Sequence, residues 1–338
     1  MKRVAALLAA ALVGAGLVAC GGGGAEPGAP KGATLVLDFQ PNAVHSGIYA
    51  AQANGYFRDE GLDLKIQEPS STADSAKLLE AGRADFAVMD INDFGIARER
   101  GLDLVAIAAI VQRPLASVIA RDGEEIRAPA DLAGKTIGVT GVPSDDAVLD
   151  TVLRSGGVDP SDVHRVTIGF NAVADLAAGK VDAATAFWNA EGVQLRQTGI
   201  PIREFRVDQF GAPRYPELVV ATSEARIARD RCAPDRSFVA GLERGYSAMQ
   251  RDPGAALDDL TSENAGLDRG SQQAQLDSLV AAHAWSITDR TPGFTAGLVN
   301  PHASAWVQWA RAHGVISEGA MNRVSQGFVQ ITPSEGCD

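Results

Sequence analysis

Leu79-Glu80-Ala81-Gly82-Arg83-Ala84-Asp85-Phe86-Ala87 returns about a hundred positions later as Leu176-Ala177-Ala178-Gly179-Lys180-Val181-Asp182-Ala183-Ala184. The shared pattern is L-x-A-G-(R or K)-x-D-x-A. Read physically, it is a helix end, a glycine cap and the entry to a strand. Its recurrence predicts two related lobes, each using the device once. The surrounding sequence agrees. Strand-like runs at 34–39, 62–66, 85–89 and 104–110 alternate with helical patterns at 43–53, 72–81 and 92–100. The alternation resumes with strands at 135–140, 163–168, 181–186, 202–207 and 218–221, separated by helices at 145–154, 173–178 and 189–197. Strand and helix alternating at this spacing predict an α/β fold with mainly parallel sheets. Beyond Thr222 the pattern is helical, at 236–249, 255–262, 272–283 and 303–313, and these helices are expected to pad the first lobe. Two crossings between lobes are expected, near 119–122 and 209–217.

The chain has 338 residues and a formal charge of −12. That length suits two lobes better than one core, and scattered acidity argues against a nucleic-acid partner. At the N-terminus, Lys2 and Arg3 precede an apolar run, Ala5 to Val18, too short to span a bilayer comfortably. The segment reads as a secretory signal, and Leu17-Val18-Ala19-Cys20 resembles a bacterial lipobox. That resemblance implies cleavage before Cys20 and lipidation of it. Residues 20–32, rich in Gly, Ala and Pro, read as a flexible tether. The organisation expected is 1–19 signal peptide, 20–32 tether, 33–119 first part of lobe one, 120–216 lobe two, and 217–338 completion of lobe one. Cys232 and Cys337 can pair in an oxidising compartment or remain two thiols. Cysteine and histidine spacing suggests no metal site. Walker, G-x-G-x-x-G, G-x-S-x-G and HExxH motifs are missing from the sequence, and no cofactor is expected.

Loops at the carboxyl ends of strands are where open α/β sheets bind ligands. Asp38, Phe39, Asn42 and His45 occupy the first such loop, His45 either facing a ligand or packed locally. Ser71 sits in a helix-opening turn, and Asp90 follows the third strand. Gln112 and Arg113 follow the fourth. Arg113 reads as a ligand contact, a lock between closed lobes through an acid, or a solvated loop cation. Ser144 belongs to the turn at 141–145, where it faces the cleft or caps the helix. Trp188 and Glu191 are three apart, so one helical turn sets them on one face. An indole offers a flat stacking wall, and a carboxylate can take two hydrogen bonds from an aminopyrimidine edge. The alternative places Trp188 in the interlobe core and Glu191 in solvent. Tyr215 lies in the second crossing, as hinge, pocket or both.

The runs DFQPNAVHSGIYAA (38–51), YFRDEGLDLKIQEP (56–69), AGRADFAVMD (81–90), IVQRPLASVIA (110–120), GVPSDDAVLDTVL (141–153), AFWNAEGVQL (186–195) and FRVDQFGAPRYPELVVAT (205–222) resemble the NMT1/THI5-like family, in its thiamine-pyrimidine branch. The resemblance covers roughly residues 33–225. It implies a two-lobed periplasmic binding protein of type II, the Venus flytrap, with two mainly parallel sheets flanked by helices. It also implies a pyrimidine ligand, an ABC permease with its ATPase as partners, a location on the extracytoplasmic face of the membrane, and no catalysis. Asn189 joins the site through the W-N-x-E-G run. A monomer is expected. Riboflavin or a sulfonate in the same clamp, and a pyrimidine-synthesising enzyme related to fungal members, are the competing readings.

Overall fold

The computed structural model describes residues 30–70, 74–123, 125–229, 234–285 and 300–329. Cys20, Ser71, Cys232 and Cys337, with the expected signal and the start of the tether, lie outside the described residues.

Ten strands form two five-stranded sheets: β1 (Lys31–Val36), β2 (Leu62–Gln67), β3 (Phe86–Asp90), β4 (Leu104–Val111), β5 (Ala116–Arg121), β6 (Thr136–Val139), β7 (His164–Thr167), β8 (Ala183–Phe187), β9 (Ile202–Arg206) and β10 (Leu218–Ser223). The orders are β2-β1-β3-β10-β4 and β7-β6-β8-β5-β9. The two sheets have one plan. In each, β1 or β6 pairs in parallel with its neighbours on both sides. A single antiparallel strand, β10 or β5, fills the fourth place. Each antiparallel strand is the first one laid down after the chain changes sheets.

The repeated nine-residue pattern explains its own recurrence. The helix Asp74–Glu80 ends at Gly82, φ +64°, and β3 follows; the helix Ala172–Ala177 ends at Gly179, φ +67°, and β8 follows. A positive φ there costs glycine nothing. The motif aspartates then make matching bonds. Asp85 donates its N–H to Thr34 O at 2.9 Å and accepts Thr34 N–H on Oδ2 at 2.8 Å. Asp182 does the same with Thr136, at 2.8 and 2.7 Å. One residue thus stitches the incoming strand to the strand, β1 or β6, that it joins in parallel.

The chain passes from β4 to β5 through Gln112–Leu115 and returns from β9 to β10 through 207–217. The boundary expected at 119/120 therefore falls inside β5, a strand that the sequence reading did not separate from the crossing. The reason is local: Ala116 to Ala120 is a short buried run, and periodicity alone does not distinguish a connector from a buried strand. The C-terminal helices pad the first sheet. Phe238, Val239, Leu242, Tyr246 and Met249 form the buried face of the helix Pro234–Arg251, which packs against the helix Ser46–Ala53. Gly245 permits that approach, since a Cβ there would lie 2.1 Å from the Gly47 carbonyl. Among the described residues no helix is long and apolar enough to cross a membrane.

Candidate ligand-binding cleft

The carboxyl ends of both sheets face one cleft. It encloses about 960 Å³ of non-atom space including its opening to solvent. The lobes touch around it. The helix Ile91–Glu99 packs against Pro143–Ser155, and Glu191–Gln197 against Arg269–Ala281. Thr151 Oγ1 meets His313 Nδ1 at 3.1 Å. On the far side, Phe39 of the first lobe meets Phe170 of the second edge-to-face, with centroids 4.6 Å apart. These rings follow β1 and the edge strand β7, away from the strands that carry the crossings. Their contact marks the mouth of the clamp, and Phe170 is still 37% exposed there.

Asp38, Phe39, Asn42, Asp90, Ser144 and Glu191 all line the cleft. Asp38 is aimed from beneath. His45 is fully buried, and its Nδ1 accepts the Asn42 N–H at 3.2 Å, leaving the proton on Nε2 to donate to Asp38 Oδ1 at 2.9 Å. His45 does not line the cleft; it orients a residue that does. Asn42 Oδ1 accepts the Val44 N–H at 3.0 Å and so caps the turn that carries His45. Glu191 opens the helix Glu191–Gln197 and accepts the Phe187 N–H at 3.1 Å.

Asp93, Asp145, Thr140, Phe170 and Phe187 also line the cleft, though none was among the expected site residues. A signal existed for two of them. Asp93 lies one turn beyond Asp90, and Phe170 ends a strand as Phe39 does, so the rule that found Phe39 covers it. Asp145 accepts the Thr140 hydroxyl at 2.7 Å. Among the described residues five carboxyl side chains (Asp38, Asp90, Asp93, Asp145 and Glu191) thus share the lining, and no Lys, Arg or His does. Burial raises Asp145 and Glu191 above the usual carboxylate range, and Asp90 and Asp93 well above it. Nearby acids push the same way. Among the described residues no group of three His, Cys, Asp or Glu is placed to hold a metal ion. The cleft is therefore built for hydrogen-bond donors and positive charge on a flat apolar body, with Phe39, Phe170, Phe187, Val88 and Val142 supplying the apolar walls.

The other expected site residues belong to the crossings. Trp188, expected as the stacking wall, is fully buried in a cluster with Leu115, Ala284 and Trp285. Its Nε1 donates to Pro114 O at 3.0 Å, and the Arg206 guanidinium covers its ring at 4.1 Å. With one face covered and its N–H engaged, it is interlobe core. Three-residue spacing put Trp188 and Glu191 together on a helix, but the helix begins only at Glu191. Asn189 is buried outside the cleft, and neither polar atom of its side chain has a hydrogen-bond partner. Arg113 donates to Asp208 Oδ2 at 2.8 Å and to Ala282 O at 3.0 Å, so it locks one crossing to the other through an acid. Gln112 is buried, and its carbonyl accepts from Arg214 at 3.2 Å. Tyr215 is buried against Trp309, with ring centroids 5.5 Å apart.

A family model described as NMT1/THI5 like matches residues 42–256. The chain belongs to this family. The formylaminopyrimidine-binding protein of Halalkalibacterium halodurans is 34% identical over 67% of this chain and 68% of its own length. A 4-amino-5-hydroxymethyl-2-methylpyrimidine phosphate synthase of Saccharomyces cerevisiae is 29% identical over 48% of each chain. Among solved structures, the alkanesulfonate-binding protein SsuA from Xanthomonas axonopodis pv. citri, bound to MOPS, superposes with a TM-score of 0.70. It covers 90% of this chain and 99% of its own, at 18% identity. That likeness establishes the periplasmic binding protein fold for this member of the NMT1/THI5-like family, with two α/β lobes.

Proposed function

We propose that this chain is the extracytoplasmic, lipid-anchored solute-binding protein of an ABC importer, and that it captures an aminopyrimidine precursor of thiamine of the formylaminomethyl or hydroxymethyl type. The observation that carries the reading is the lining of the cleft: among the described residues, five carboxyl groups on apolar walls, without a basic side chain. An aminopyrimidine offers an exocyclic amine beside a ring nitrogen that can be protonated, and a carboxylate accepts both hydrogens in a charge-assisted pair. Glu191, Asp145 and Asp38 are the candidate partners of that edge, and Phe39, Phe170 and Phe187 the ring-contacting walls. A sulfonate or nitrate favours converging cations, and among the described lining residues there is no Lys, Arg or His. The 34% identical formylaminopyrimidine-binding relative supports the ligand class.

The chain acts here by binding alone. A ligand that prefers the closed arrangement shifts the population toward it, and the closed form then docks on a permease driven by a cytoplasmic ATPase. Against the synthase reading stands His45, which is buried and committed to Asp38 instead of being open to the cleft. Lipidation of Cys20 and removal of residues 1–19 place the protein on the outer face of the membrane as a monomer.

Thermal melting of the purified protein against aminomethyl-pyrimidines, thiamine, riboflavin, taurine and nitrate tests this. At a ligand concentration of about 100 Kd, a binder of the native state adds about 2.7 kcal/mol and raises the midpoint accordingly. A rise with aminopyrimidines alone is expected. A rise with riboflavin or an anion instead would discard the pyrimidine assignment and keep the clamp.

A further inference from the structure

One buried carboxyl pair joins the cleft to both crossings. Glu217 sits in the second crossing, just before β10, and is fully buried. Its Oε2 accepts the backbone N–H of Leu115 at 2.6 Å and of Ala116 at 3.3 Å, where the first crossing enters β5. Its own carbonyl accepts the Ile91 N–H at 2.9 Å, just beyond β3. Its other oxygen, Oε1, is buried with no hydrogen-bond partner among the described residues. The group that answers it is Asp90. This residue ends β3, faces Leu218 in the β3–β10 ladder, lines the cleft, and its carboxyl interacts with that of Glu217. Asp90 Oδ1 already accepts the Asn92 N–H at 2.6 Å. Two carboxyl groups can share a hydrogen bond only when one of them carries a proton.

We propose that Glu217 is a positioning residue that holds Asp90 in the cleft as a protonated acid, and that the joint between the lobes is secured by the proton the two share. Asp90 donates O–H to Glu217 Oε1, while Glu217 Oε2 holds the entry to the second sheet. One hydrogen thus links the cleft floor, the outgoing crossing and the returning crossing. If the proton is lost to solvent, two buried carboxylates face each other there, which is strongly unfavourable. The surroundings offer them little relief. Asp93 on the next turn, Asp145 from the second lobe, and Asp208 and Tyr215 from the second crossing face the pair, and all are acidic groups. Arg113 is engaged by Asp208, and Arg100 acts on Asp93. Burial holds both carboxyls above their ordinary range, Glu217 up to about 7. Folded pKa values raised in this way give stability at low pH that is lost as pH rises through them.

The pair belongs to the protein without ligand, so its test needs none and stands whether or not an aminopyrimidine is the cargo. Asp90→Asn keeps a donor to Glu217 Oε1 but has no proton to lose. Between about pH 6 and about pH 9, the midpoint of wild type should fall about 5 °C further than that of Asp90→Asn. Glu217→Gln reverses the polarity, its amide donating to an ionised Asp90. Near pH 7 the infrared carbonyl band of a protonated carboxyl should be present in wild type and reduced by one group in each variant. Parallel melting profiles for wild type and Asp90→Asn, with no difference band, would overturn the proposal. Should Glu217→Gln fail to fold, Asp90→Asn alone decides it through both readouts.

Discussion

The cleft and the crossings use similar residue types in opposite ways. At the crossings nearly every charge has an answering partner: Arg113 with Asp208, Arg206 over Trp188, Arg214 on the Gln112 carbonyl, and Glu217 on two backbone N–H groups. In the cleft, carboxyl groups gather along apolar walls without a cation among the described lining residues. A buried charge that is paired is structural material, because separating it costs more than it contributed. A cluster of buried carboxyl groups with raised pKa values that no cation answers marks a candidate site. The distinction is made by partners, not by residue type.

Three substitutions test that contrast, in falling order of effect. Trp188→Ala should act on folding, because it empties a fully buried site tied to Pro114. A loss of about 3–5 kcal/mol in denaturant unfolding is expected. Ligand affinity failing with no loss of stability would return Trp188 to the pocket. Glu191→Gln should act on binding. Removing a charge-assisted partner costs about 1.5–3 kcal/mol, roughly 10- to 150-fold in aminopyrimidine affinity by calorimetry, with little change in melting; unchanged affinity would remove Glu191 from the edge-recognition role. Phe170→Ala should act on release. An edge-to-face pair contributes about 0.5–1.5 kcal/mol beyond its area. With the mouth contact to Phe39 gone, stopped-flow dissociation should quicken about 2- to 10-fold while association changes little. An unaltered off-rate would mean that the rings meet without latching.

Much of this was legible in the residues. The repeat around Gly82 and Gly179 announced two lobes because it encodes a local task, a helix stop followed by an aspartate that stitches neighbouring strands. The loop from Asp38 to Asn42 announced the cleft because strand ends in parallel sheets converge on one side. What escaped was the sorting of the conspicuous residues. Trp188, Arg113 and Gln112 share motifs with cleft residues and stand a few positions from them, yet they turn toward the crossings. Asp145 and Phe187 carry no such signal, yet they turn toward the cleft.

The amino-acid sequence by itself determined the α/β alternation, the twofold plan and the strand-end loops, since these follow from hydrophobic period, glycine caps and turn chemistry acting over a few residues. Only the tertiary structure decided where the sheets exchange the chain, which aromatics meet across the mouth, and which acids lack a cation. Those outcomes depend on pairs that lie more than a hundred residues apart in the chain: Asp90 meets Glu217 only when β10 returns to the first sheet, and Phe39 meets Phe170 only when both lobes have folded and closed.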